Sequence, residues 1–138
     1  MKKKICGLAI ILMFAFNLQA QQPEYRVVFD MTTKDSVNQQ ALIRQMELIR
    51  KNNPEAKLEV VFYGQSLGMI VKDQSKYTEP IGRILANKNT SFAVCAITMQ
   101  RYNVDESRLI PGVKVVPDGI YEIITRQHEG WGYIKVAN

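Results

Sequence analysis

The chain has 138 residues, 46% of them hydrophobic, and a formal net charge of +5. That length suits one domain built around one core. Three of the positive charges are Lys2, Lys3 and Lys4; without them the balance falls to +2 and the other cations are scattered singly, so no nucleic-acid footprint is expected.

The N-terminus reads as an export signal. Lys2–Lys4 give a basic start, Ile5 to Phe16 is an uncharged apolar run, and Ala20 supplies a small residue before Gln21-Gln22-Pro23. That order predicts a signal peptide over residues 1–20, a single domain over 21–138, and an exported, periplasmic or secreted protein. The apolar run is short for a membrane span, so no membrane association is expected after cleavage. Cys6 lies near the start of this run and would leave with it. Cys95 is then the one thiol of the mature domain, and no internal disulfide can form.

The rest of the chain alternates between two periodicities. Glu24 to Met31 reads as a strand, with Val27-Val28-Phe29 as a continuous apolar run suited to burial on both faces. Asp35 or Ser36 can cap a helix from about Val37 to Lys51, whose inner stripe is Leu42, Met46 and Ile49, widened by Val37, Ile43 and Leu48. Asn52-Asn53-Pro54 ends it. Lys57 to Tyr63 is a second strand, Gly64 to Gly68 a loop, and Thr78-Glu79-Pro80 a helix start that puts Ile81, Ile84 and Leu85 on one face.

Ser91 to Ala96 is a third strand, followed by a helix over Ile97 to Tyr102 and a short helical piece over Val104 to Leu109. Pro111-Gly112 breaks the chain. Val113 to Val116 is a fourth strand. Pro117-Asp118 opens a helix carrying Ile120, Ile123 and Ile124 inward and ending at His128. Trp131 to Val136 closes the chain as a fifth strand rich in aromatics, suited to a sheet edge that a partner subunit covers. This alternation predicts an α/β fold with a mainly parallel five-stranded sheet.

In such sheets chemistry gathers outside the carboxyl ends of the strands. The rule selects four loops: Asp30 to Ser36, Gly64 to Gly68, Cys95 to Thr98 and Val116 to Gly119. A helix starting just after Cys95 would aim N–H groups at the sulfur and favour the thiolate. The Thr98 hydroxyl can donate to the same sulfur or cap the helix. Cys95 also fits the role of a small core hydrophobe. His128, the single histidine, can activate a cysteine or simply complement a helix C-terminus.

Asp30, Asp35 and Asp118 are carboxylates at strand ends, and capping accounts for the last two. One histidine and one mature cysteine are too few for a zinc centre, and Gly64 and Gly68 lack the pattern of a nucleotide cradle. No metal and no cofactor are expected.

Three blocks carry a resemblance. Cys95-Ala96-Ile97-Thr98-Met99, the segment from Leu109 to Gly119 (LIPGVKVVPDG) and the segment from Gln127 to Ile134 (QHEGWGYI) resemble blocks of the DsrE/DsrF-like family of sulfur-relay proteins. The first half, through Val60-Val61-Phe62-Tyr63-Gly64, fits more loosely. The resemblance implies a three-layer α/β/α sandwich that assembles into trimers or hexamers. It implies that Cys95 accepts sulfane sulfur as a persulfide and exchanges it with donor and acceptor proteins; Thr98 and His128, selected by position alone, are the candidate supporting residues. Ile97 stands where many relatives carry a polar residue, which implies a more apolar pocket.

Overall fold

The computed structural model describes residues 24–136; the expected signal segment lies outside the described residues. The elements run β1 (Arg26–Met31), α1 (Ser36–Asn52), β2 (Lys57–Phe62), a 3-10 turn (Gly64–Ile70), α2 (Thr78–Leu85), β3 (Thr90–Cys95), α3 (Ala96–Arg101), a 3-10 turn (Glu106–Arg108), β4 (Lys114–Val116), α4 (Gly119–His128) and β5 (Gly132–Val136). All five strands are parallel, in the order β4-β3-β2-β1-β5. The chain therefore steps outward from β1 to β4, then returns to place β5 on the far side of β1.

Strand alternation divides the side chains between two faces. Val27, Phe29 and Met31 of β1, with Leu58, Val60 and Phe62 of β2 and Phe92 and Val94 of β3, face one large apolar core. Leu42, Ile43 and Met46 of α1 and Ile81 and Ile84 of α2 close it. The Phe62 and Phe92 rings meet at 5.2 Å, a tilted contact that adds to area burial. The opposite face is thinner. Val28, Val61 and Ala93 meet only Ile123 of α4 as buried apolar partners.

The local signals account for the helix ends. Asp35 caps α1 by accepting from the Asn38 N–H at 2.9 Å, and Asp118 caps α4 by accepting from Ile120 N–H at 2.8 Å. Four expectations change. Gly64 to Gly68 is not an open loop: it begins a 3-10 turn that buries Ser66, Leu67, Met69 and Ile70. The Ser66 hydroxyl bonds the Met31 and Tyr63 carbonyls and ties this turn to the sheet end.

Val37 and Leu48 are exposed, because α1 needs only its central stripe to cover the sheet. Ile120 and Ile124 are exposed too, leaving Ile123 as the inward apolar anchor of α4. The short helical piece reduces to a 3-10 turn over Glu106–Arg108, capped by Asp105. Among the described residues no helix is long and apolar enough to cross a membrane.

Candidate functional site

Cys95 is the last residue of β3 and the N-cap position of α3. Its side chain lies on the α4 face, two residues beyond Ala93 and opposite Val116 of β4. It is a free thiol, 5% exposed. Helix N-termini leave their first N–H groups without intrahelical partners; Cys95 holds the N-cap position of α3 without a capping hydrogen bond from its side chain. The N–H groups of Ile97 and Thr98 and the Thr98 hydroxyl lie near enough to the sulfur to favour its charged form.

The fourth donor comes from elsewhere in the chain. The Gly119 N–H, the first of α4, also faces the sulfur. Asp118 takes the next two N–H groups of that helix, those of Ile120 and Tyr121, so the Gly119 group is left for the sulfur. The close approach depends on glycine. A Cβ at Gly119 would stand 3.2 Å from the Cβ of Cys95 and 3.2 Å from Val61 Cγ1. Burial, the largest single influence, raises the thiol pKa, but the donors of Gly119, Thr98 and Ile97 together outweigh it and hold the pKa below the ordinary value.

Thr98 does double duty. Its hydroxyl helps to lower the Cys95 pKa, and its oxygen accepts from the Gly64 N–H at 3.2 Å. The first helical turn after β3 is thereby pinned to the turn after β2. Ile97 is 53% exposed and lines a surface cleft of about 350 Å³ with Ala96, Met99 and Val115, so it shapes the approach rather than the sulfur's own seat. His128 stands apart. It is exposed at the C-terminal end of α4, roughly 13 Å along the helix axis from Gly119. The structure thus brings Thr98 to Cys95 and does not bring His128 there; the basic last turn of α4 accounts for the histidine.

A second polar group sits on the same face, two strands across, on β1. Asp30 is 4% exposed and accepts from Tyr133 Oη at 2.7 Å and from Lys135 Nζ at 3.0 Å to both oxygens. Lys135 also reaches Thr32 Oγ1 at 3.1 Å and lies 5.7 Å from the centre of the Tyr63 ring. The hydrogen bond to Asp30, with burial, pushes the Tyr133 phenol up to about 12. Burial first, then Asp30, and then the charges of Tyr133 and Cys95 raise the Tyr63 phenol. Tyr63 follows Phe62, which pairs with Val94, so it stands between Asp30 and Cys95.

This cluster lies at the carboxyl ends of β1 and β5, where the strand order reverses. Asp30 was visible in the sequence as a strand-end carboxylate. Tyr63, Lys135 and Tyr133 were not, because only the β1–β5 register puts Asp30 beside Lys135. Gly119 lay inside one of the four selected loops, without a signal that its N–H would reach Cys95. Among the described residues no group of three or more His, Cys, Asp or Glu side chains is arranged to hold a metal ion.

Comparison with known proteins agrees with this architecture. The family model of the DsrE/DsrF-like family matches residues 26–136. Among solved structures, the protein of unknown function MTH1491 from Methanobacterium thermoautotrophicum superposes with a TM-score of 0.76 at 29% identity, covering 81% of this chain and 99% of its own. The conserved protein of unknown function BT1422 from Bacteroides thetaiotaomicron gives 0.68 at 14% identity, covering 80% and 94%. The ychN protein of E. coli gives 0.67 at 13%, covering 81% and 98%; these last two likenesses speak to fold alone. No curated protein matches the chain.

Proposed function

Because the chain belongs to the DsrE/DsrF-like family, we propose that it is a sulfur carrier in which Cys95 is the catalytic, persulfide-bearing residue. The observation that carries this reading is the convergence of two helix starts on one sulfur, with the Gly119, Thr98 and Ile97 N–H groups and the Thr98 hydroxyl all serving it. Donors so placed favour an anion, whether thiolate or persulfide. A buried core cysteine has no need of four polar donors.

The chemistry balances as an exchange of sulfane sulfur. The Cys95 thiolate attacks the outer sulfur of a donor persulfide, R–S–SH. The donor's S–S bond breaks, R–S⁻ leaves, and Cys95–S–SH forms. An acceptor thiolate then attacks the outer sulfur and releases the Cys95 thiolate. Both steps conserve electron count, so no external oxidant or reductant enters. The fold keeps solvent off the inner sulfur, since Cys95 is 5% exposed, and the donor approaches from the carboxyl edge of the sheet.

Export, protein partners and assembly belong to the same reading. The basic and apolar order of residues 1–20 supports export. The donor and acceptor are thiol-bearing proteins of that compartment. The chain works as a homo-oligomer, a trimer or hexamer, supported by the apolar side chains Ile120, Tyr121 and Ile124 that α4 leaves exposed and by exposed Tyr133 and Ile134 on edge strand β5. The same exposed face favours a second reading, a non-catalytic oligomer that binds a ligand or partner between subunits.

Intact mass separates the two. After incubation with a small-molecule persulfide donor, the carrier gains the mass of one sulfur, and Cys95→Ala gains none. An unmodified mass at every pH would remove the carrier reading. If Cys95→Ala also leaves assembly and partner binding unchanged, the second reading takes its place.

A further inference from the structure

α4 covers a group of charges that the sulfur site does not use. Glu59 lies in β2, two residues before Val61 on the same face. It is 2% exposed in a position where an apolar residue would ordinarily sit. Its Oε2 is fully engaged: it accepts from Ser91 Oγ at 2.9 Å, Arg126 Nε at 3.0 Å and Arg126 Nη2 at 2.9 Å. Its Oε1 is buried and meets no donor among the described residues. An ionised oxygen stripped of water and left without a donor is strongly disfavoured.

The group in contact with Glu59 is another acid. Glu122 of α4 is its neighbour, the two carboxylates accepting from the same Arg126 Nη2. Arg126 also binds Glu122 Oε1 at 2.9 Å and Glu129 Oε2 at 3.0 Å, while its guanidinium lies 5.1 Å from the centre of the Trp131 ring. Three carboxyl groups thus share one cation. With all three ionised the cluster carries a net charge of two negatives under a helix; one proton halves it.

We infer that the Glu122 carboxyl holds a proton in the folded chain and donates it to Glu59 Oε1, and that this hydrogen bond seats α4 on the sheet. It supplies the one donor that the buried oxygen lacks, and it explains why two acids face each other across a sheet–helix contact. Burial first, and then the contact with Glu59, raise the pKa of Glu122, against the opposing charge of Arg126.

The other charges around the pair are occupied or peripheral. Lys57 of β2 and Arg26 of β1 pair with Glu24. Lys88 and Lys114 line the same surface cleft as Glu59 and Arg126, with no ion pair to either acid among the described residues, and Lys135 of β5 is turned to Asp30. Glu122 is thereby a positioning residue for α4, and the inference stands whether or not Cys95 carries sulfur.

A carboxyl whose pKa is raised in the folded chain binds its proton more tightly there than in the unfolded chain. The stability it contributes is full below the ordinary glutamate range and declines as pH rises through the raised value. The test uses the full folded chain. Infrared spectra just above the ordinary glutamate range of pH should show a protonated-carboxyl stretch that is absent in Glu122→Gln. The wild-type melting temperature should fall as pH rises above the ordinary glutamate range, while Glu122→Gln lacks that fall, because its amide donates to Oε1 at every pH. Glu122→Ala, which leaves Oε1 without a donor, should melt below Glu122→Gln at every pH. A wild type lacking the protonated band, or a Glu122→Gln chain with the wild-type pH slope, overturns the proposal.

Discussion

The two faces of the sheet are made from the same strands and do different work. On the α1–α2 face, β1, β2 and β3 contribute Phe29, Phe62, Phe92 and their apolar neighbours to a core of twenty-two buried hydrophobic residues. On the α4 face the same strands contribute Val28, Val61 and Ala93, which with Ile123 make a buried apolar group of four. The remaining positions there include Asp30, Glu59, Ser91 and Cys95. A core of large apolar groups stabilises without discrimination, since burial scales with area. A face of polar groups can be buried only where each finds a partner. The thick face therefore holds the fold, and the thin face holds the arrangement of donors around the sulfur.

The largest contrast should come from Phe62→Ala. Phe62 is fully buried against Phe92. Its truncation should cost about 3–5 kcal/mol in urea denaturation. The surviving folded fraction should keep the wild-type pH profile of Cys95 alkylation, because the loss falls on the other face. A shift in that profile would show that the faces are not separable.

Gly119→Ala reverses the pattern. The added methyl meets Cys95 and Val61 at 3.2 Å, so the start of α4 must move away. We expect a smaller stability cost, about 1–3 kcal/mol, and a thiol pKa that rises because one N–H donor withdraws. The alkylation rate against pH measures it; an unchanged midpoint would show that the Gly119 N–H contributes nothing to the thiolate.

Thr98→Val keeps the shape and removes the hydroxyl. The sulfur loses a donor and the Gly64 N–H loses its acceptor. The expected cost is roughly 1–2 kcal/mol, with an upward shift of the alkylation midpoint smaller than that of Gly119→Ala. Thr98→Ser should restore most of both. If serine and valine behave alike, the hydroxyl has no part in the site.

His128→Gln should be the mildest change. The side chain is exposed and far along α4 from the sulfur. Sulfur loading and the alkylation profile should match wild type, with stability altered by about 0.5 kcal/mol or less from the helix-end charge. A loss of loading in this variant would place His128 back in the site through contacts that one chain does not make.

Much of the thick face was legible. The runs around Val27 and Val60, the stripe Leu42–Met46 and the caps Asp35 and Asp118 are local signals, and each element formed where they point. The same reasoning overreached on α4. Its three isoleucines predict an inward stripe, yet one is buried and two are exposed. Periodicity shows which residues share a helix face, but not how much of that face has a sheet beneath it.

By itself the sequence determined the alternation of strands and helices, the place of Cys95 at a strand end, and the helix start that follows it. These depend on neighbours within a few residues, which the chain order already brings together. Tertiary structure decided the rest: that β5 lies beside β1 and sets Lys135 on Asp30, that Gly119 presses its N–H on Cys95, and that Glu59 meets Glu122 and Arg126. Those partners come from segments far apart in the chain. Strand order and register bring them together, and those follow from burial summed over the whole sheet rather than from any one stretch.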